Sequence, residues 1–150
     1  MIHTVRTDSG NPDFIELVKL LDADLAKRNG ADHTFYAGFN KIDAIRHVIV
    51  AYQLGAPVGC GAIKAFSNDA MEVKRMYTLP EKRGKGIASA ILSALEQWAA
   101  ELSYNKTVLE TGRRQAEAIA LYQKSGYRQI PNYGQYAGVE NSLCFEKRLK

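Results

Sequence analysis

The chain has only two cysteines, Cys60 and Cys144, and three histidines, His3, His33 and His47. The cysteines lie far apart and the histidines do not cluster, so neither a disulfide framework nor a zinc-ligand pattern is present. No bound metal is expected, and both thiols are expected to be buried and free. No apolar run approaches the roughly 20 residues that cross a bilayer, and Met1-Ile2-His3-Thr4-Val5-Arg6 lacks the apolar core of a secretory signal. A cytoplasmic protein without a membrane partner is the expectation. Lys and Arg number 20 against 16 Asp and Glu, a formal charge of +4. The basic residues are nevertheless dispersed, with no run that would form a nucleic-acid tail. That excludes nucleic acid as the expected partner and leaves a small polyphosphate ligand as the use for the surplus. Internal repeats, linkers and low-complexity tracts are also missing.

What is present suits one domain over residues 1–150, with 46% hydrophobic and 24% charged residues. Residues 2–6 alternate as a short strand. Asn11 and Pro12 then mark a helix start, cap and first position, with Phe14, Leu17, Val18, Leu21 and Leu25 as its buried stripe. Residues 28–46 read as a loop with a short helix around 42–47. Two strand-like runs, 48–54 and 58–66, flank Gly55-Ala56-Pro57 as a hairpin, and a third strand over 71–78 completes an antiparallel meander. A helix over 85–102 buries Ile87, Ile91, Leu92, Leu95, Trp98 and Leu102. A strand over 107–110, a helix over 116–124 ending at Gly126, and strands over 127–130 and 142–148 follow. The expected fold class is α/β (α+β): a mixed sheet with helices on its faces.

The chemistry is concentrated in Arg83-Gly84-Lys85-Gly86-Ile87-Ala88, which joins the third meander strand to the long helix. Pro80 closes that strand, because proline cannot continue a ladder. The first-turn amides of a helix lack intrahelical partners and the helix dipole adds positive potential, so a glycine turn here is built to approach an oxyanion. Alone, the turn is equally compatible with a solvated basic loop. A phosphate loop of the nucleotide-switch type is disfavoured, because Ala88 and Ser89 stand where a Lys-Ser/Thr ending would be needed.

Read together with Ala118-Ile119-Ala120-Leu121-Tyr122-Gln123-Lys124-Ser125-Gly126-Tyr127, that turn resembles the signature of the GNAT (GCN5-related) N-acetyltransferase superfamily over residues 71–127. Arg83 to Ala88 is similar to the family's Arg/Gln-x-x-Gly-x-Gly/Ala motif, and the second segment to its Ala-hydrophobic-x-Leu-Tyr-x-x-x-Gly-Phe/Tyr motif. The resemblance implies a mostly antiparallel sheet of six to seven strands with a splayed central pair. It also implies acetyl-CoA as cofactor, with the pyrophosphate on Arg83, Gly84, Lys85, Gly86, Ile87, Ala88 and Ser89. Met76, Tyr77 and Thr78 would offer backbone groups to the pantetheine arm. Gln115 stands where the family often has Asn, as a pantetheine contact or a polar helix-start residue. Tyr122 becomes the general acid that protonates the departing thiolate; by its helical spacing from Ile119 and Ala118 alone it reads as a core tyrosine, and only the coincidence with the glycine turn reverses that.

An alkylammonium with a pKa of about 10 must lose its proton before it can attack. Glu72 is the first candidate base, four residues before Met76 and on the same face of a regular strand. Cross-strand pairing with Lys74 or Arg75 is the alternative role for it. Glu110 is a second carboxylate that could face the acceptor, and in many family members ordered water carries the proton. Tyr36, Tyr133 and Tyr136 are expected on the acceptor side, where flat polar-tipped rings suit a small amine; plugs over the sheet ends or a dimer contact are their other readings. The resulting expectation is direct acetyl transfer from acetyl-CoA to a primary amine of a small molecule: an amino acid, a polyamine or an aminoglycoside-like compound. A protein or peptide amine, or a non-catalytic acyl-CoA sensor, are the alternatives.

Overall fold

A computed structural model describes residues 1–29 and 44–149, the side chains of residues 28 and 29 excepted. Tyr36 and most of the expected 28–46 loop lie outside the described residues. The elements run β1 (Ile2–Thr7), α1 (Pro12–Asn29), β2 (His47–Gln53), β3 (Ala56–Ala65), β4 (Ala70–Thr78), α2 (Ile87–Glu101), β5 (Lys106–Gly112), α3 (Ala116–Lys124), β6 (Arg128–Ile130) and β7 (Ser142–Arg148). They form one seven-stranded sheet in the order β1-β2-β3-β4-β5-β7-β6. Every pairing is antiparallel except that of β4 with β5, giving the mixed, mostly antiparallel sheet expected. Among the described residues no helix is long and apolar enough to cross a membrane.

The two faces carry separate cores. Phe14, Leu17, Val18 and Leu21 of α1 pack on Val48, Val50, Cys60, Ala62 and Tyr77. Asn11 fixes the start of that helix, its Oδ1 accepting from the Asp13 and Phe14 amides at 2.8 and 3.1 Å. On the opposite face Ile87, Ile91, Leu92, Leu95 and Ala99 of α2 pack on Ile49, Ile63, Met71, Val73 and Leu109. Full burial of each Ile or Leu is worth about 1.5–3 kcal/mol against exposure. Sheet and helix close to contact because Gly61 has no side chain: a Cβ there would lie 2.5 Å from Met76 Sδ and 2.9 Å from Leu95 Cδ1.

Several boundaries differ from the sequence reading. The β2–β3 connection is Leu54-Gly55, at φ 53° and 80°, and Ala56 and Pro57 already pair with Gln53 and Tyr52. Two left-handed residues match the twist of a tight hairpin. Pro57 is tolerated because it lies beyond the last β3–β4 pair, Gly59↔Thr78. Residues 44–46 are not helical and His47 opens β2, so the described part of the 42–47 helix is absent. Helix α2 begins at Ile87 rather than residue 85, since Gly86 at φ 84° cannot be its first turn. It ends before Leu102, which is 38% exposed, and Trp98 is only partly buried.

The correction with most consequence lies in β4. Its register against β3 shifts between Cys60 and Ala62, and Arg75 there adopts φ 61°. Such a bulge resets the two-residue alternation. Met71 and Val73 face the α2 core, so Glu72 between them faces the α1 side, whereas Met76 packs into the α2 core. Glu72 and Met76 therefore lie on opposite faces, not on the same one.

Candidate active site

Strands β4 and β5 pair only at Ala70↔Lys106, Met71↔Thr107 and Glu72↔Val108. Beyond Glu72 they diverge, and the β5-facing edge of β4 lacks a strand neighbour among the described residues. A cleft of about 490 Å³ opens along it. Met76, Tyr77 and Thr78 form one wall, Gln115, Ala118, Leu121 and Tyr122 the other, and Arg83, Gly84 and Ala88 one end.

That end is the glycine turn. Gly84 and Gly86 have φ 78° and 84°, and a Cβ added to either would meet no heavy atom within 4 Å. Gly86 caps α2 with no side-chain hydrogen bond to the first-turn amides. The conformation demands glycine, and the amides remain available to a ligand. The Arg83 guanidinium lies back along β4: Nε donates to Thr78 O at 2.9 Å, Nη2 is 3.7 Å from Asp24, and the group sits 5.5 Å from the Tyr77 ring centre.

A second cavity, of about 90 Å³, adjoins the cleft and shares Leu21, Met76, Gln115 and Tyr122 with it. Its polar lining is Glu72, Lys74, Arg75, Glu110, Thr111 and Tyr136. The two carboxylates differ in surroundings. Glu72 accepts the Tyr133 hydroxyl proton at 2.7 Å and has Lys74 Nζ at 3.7 Å. Glu110 accepts from Ser142 Oγ at 2.8 Å, with no ion pair among the described residues. Burial pushes the Glu110 carboxyl up to about 7, against the pull of the Ser142 hydrogen bond and Lys74. Tyr122, 6% exposed, lies where cavity and cleft meet. Burial first, and then the Glu110 charge, hold its phenol well above the ordinary tyrosine value, so it stays protonated.

A family model for the Acetyltransferase (GNAT) domain matches residues 44–129, more than half of the chain and including both walls of the cleft. The chain belongs to the GNAT acetyltransferase family. An IAA acetyltransferase of Azospirillum brasilense is 39% identical over 102 residues, 67% of each chain. A solved Klebsiella pneumoniae structure, named as an acyl-CoA N-acyltransferase, superposes with TM-score 0.84 at 28% identity, covering 100% of this chain and 99% of that one. A GNAT acetyltransferase of Elizabethkingia anophelis, solved with acetyl-CoA bound, shares the fold at TM-score 0.70 and 17% identity, over 98% and 97% of the two chains. The chain spans between half and two-thirds of the length of the first curated relatives it matches.

Of the residues that the GNAT signature singled out, Met76, Tyr77, Thr78, Arg83, Gly84, Ala88, Gln115 and Tyr122 line the cleft. Lys85 and Ser89 flank the turn on its exposed side, while the Ile87 side chain is core, 1% exposed. Gln115 is the N-cap of α3 but makes no capping hydrogen bond. Glu72, Glu110 and Tyr136 line the smaller cavity. Tyr133 stands behind it, its ring edge-on to Phe66 and Tyr136 at 4.7 and 5.9 Å. Leu21 and Leu25 close the cavity from α1 and carried only a core signal in sequence. Arg75 carried only the signal of a pairing partner for Glu72, because its place at the cavity depends on the bulge.

Proposed function

We propose that this GNAT domain transfers the acetyl group of acetyl-CoA to a primary amine of a small molecule, directly and without a covalent enzyme intermediate. The observation that carries the reading is the meeting of the β4–β5 splay, the glycine turn and Tyr122 around one cleft. The residues present fit the cofactor: uncapped amides and left-handed glycines suit a pyrophosphate, and the free edge of β4 suits an amide-bearing arm. When bound, acetyl-CoA supplies an activated acyl thioester.

The chain's own groups divide the work. Gly84, Gly86 and the first turn of α2, with Lys85 and Ser89, hold the phosphates. Met76, Tyr77 and Thr78 hold the arm through their backbone, and a β4 amide is available to an oxyanion on the thioester carbonyl. Gln115 orients the arm from the opposite wall. Glu110 takes the ammonium proton, since a carboxylate titrating near 7 is half ionised at neutral pH and returns the proton readily. Glu72 is occupied by Tyr133 and Lys74, which favours a supporting role in shaping the cavity. Tyr122 donates its proton to the leaving thiolate. Cys60 and Cys144 are buried, which raises their thiols to about 12 and about 11, so neither suits an acyl-enzyme.

The test is a screen of primary amines for CoA release, with acetyl-CoA binding followed by calorimetry. Release that depends on one class of small amine supports the reading. Tight acetyl-CoA binding with no release on any amine would favour a sensor instead.

A further inference from the structure

The Glu110 carboxylate reaches the smaller cavity from β5 on a long, flexible side chain. A base is effective only when one of its oxygens is held within reach of the proton it takes. What holds Glu110 comes from the neighbouring strand. Along the β5–β7 pairing Glu110 lies opposite Cys144 and Gly112 opposite Ser142, so Ser142 is the diagonal neighbour of Glu110 on the same face. Ser142 Oγ donates to Glu110 Oε2 at 2.8 Å. Ser142 is 1% exposed; a buried hydroxyl is costly unless bonded, and an ionised carboxylate is the stronger kind of acceptor for it. The serine backbone is itself pinned. Its N–H donates to Val139 O at 3.1 Å, and Asn132 Nδ2 donates to Ser142 O and Val139 O at 2.9 and 3.0 Å. The same connection carries Tyr133, whose hydroxyl donates to Glu72 at 2.7 Å, so the segment between β6 and β7 orients both carboxylates of the cavity.

The titratable and charged groups around Glu110 are Glu72, Lys74 and Arg75 of β4, Tyr122 of α3, Tyr136 from the connection and Cys144 of β7; α1 adds the apolar Leu21 and Leu25. After burial, which raises the Glu110 carboxyl, the Ser142 hydrogen bond is the largest influence and lowers it; Lys74 and Glu72 act less, in opposite senses. Burial raises the Cys144 thiol to about 11, so it stays neutral opposite Glu110. Resting on the reading of Glu110 as the base, we infer that Ser142 is a positioning residue for acetyl transfer: its hydroxyl ties Glu110 Oε2 and so holds the carboxylate in the orientation that takes the acceptor's proton. Ser142 does not itself line the cavity and acts through Glu110. One proton moves, from the ammonium to Glu110, and the serine O–H remains on its oxygen throughout.

The test follows the titration of Glu110 by carbon NMR of the whole chain labelled at its glutamate carboxyls, with Glu110→Gln identifying the signal. Ser142→Ala removes a donor that favours the ionised form. The midpoint should therefore rise from about 7 by about one pH unit or more, because a hydrogen bond to a charged group is worth roughly tenfold or more. The rising limb of kcat/KM should move up with it, read as CoA release from acetyl-CoA with the primary amines of the screen, while acetyl-CoA affinity by calorimetry stays unchanged. Ser142→Thr keeps the hydroxyl and should return midpoint and limb toward those of the unsubstituted chain. A midpoint that stays near 7 in Ser142→Ala overturns the inference, and so does a Ser142→Thr variant that behaves as Ser142→Ala does. A limb that stays while the midpoint moves overturns it through the assignment of Glu110 as base, and leaves acetyl transfer standing. No release from any amine with the unsubstituted chain overturns the acetyl-transfer reading, and the inference falls with it; an NMR shift then marks a hydrogen bond only.

Discussion

Glu110 and Glu72 share one cavity, yet among the described residues only Glu110 has no ion pair, and burial pushes it to about 7. As a base it must be ionised, so kcat/KM should rise with pH through about 7 and then level. Glu110→Gln should lower turnover by about 10²-fold or more and abolish that limb; an unchanged profile would return the role to Glu72 or water. The same group has a stability consequence of opposite sense. Its folded pKa lies above the ordinary 4.5, so its contribution is present below that value and lost as pH rises through about 7. Glu110→Gln should therefore raise the melting temperature at pH 8 and change it little at pH 4. Tyr122→Phe should cut turnover by about 10²-fold while leaving acetyl-CoA affinity intact by calorimetry, because only the phenol is removed from a buried ring. Tyr122 was legible because two motifs coincide. The distinction between the two glutamates was not, since it rests on partners 32 and 61 residues away, Ser142 and Tyr133.

Between strand and helix, the glycine turn joins backbone geometry to ligand chemistry. Gly86→Asp places a carboxylate where phosphate is proposed to lie, and acetyl-CoA should then give no binding heat. Gly86→Ala separates strain from charge: at φ 84° it should cost about 1–2 kcal/mol in urea denaturation and weaken binding less than Asp does. Binding retained in Gly86→Asp would remove the phosphate site. Periodicity and turn residues were enough to locate α3 and β7 to the residue and the other described elements to within a few residues. They missed the β4 bulge, because a bulge is set by pairing with β3 and leaves no local pattern. That single inserted residue turns Met76 toward α2 while Glu72 stays on the α1 side, and brings Arg75 to the smaller cavity.

Across the molecule, the sheet is shared by two cores, one under α1 and one under α2. Phe14→Ala and Leu92→Ala empty space in different cores and should cost about 3–5 and 2–5 kcal/mol. If residues 1–150 fold as one domain, both variants will shift one common urea transition, followed alike by fluorescence and circular dichroism. Separate transitions would show two units. The sequence by itself determined the family, the order of elements, the glycine turn and Tyr122, because each depends on short spacings that local sterics and hydrogen bonding enforce. Only the tertiary structure decided which carboxylate has no ion pair among the described residues, where β4 leaves β5, and that Lys74 and Arg75 line the smaller cavity. Those features arise from strand register and burial, which bring distant residues together and set the charge each one feels.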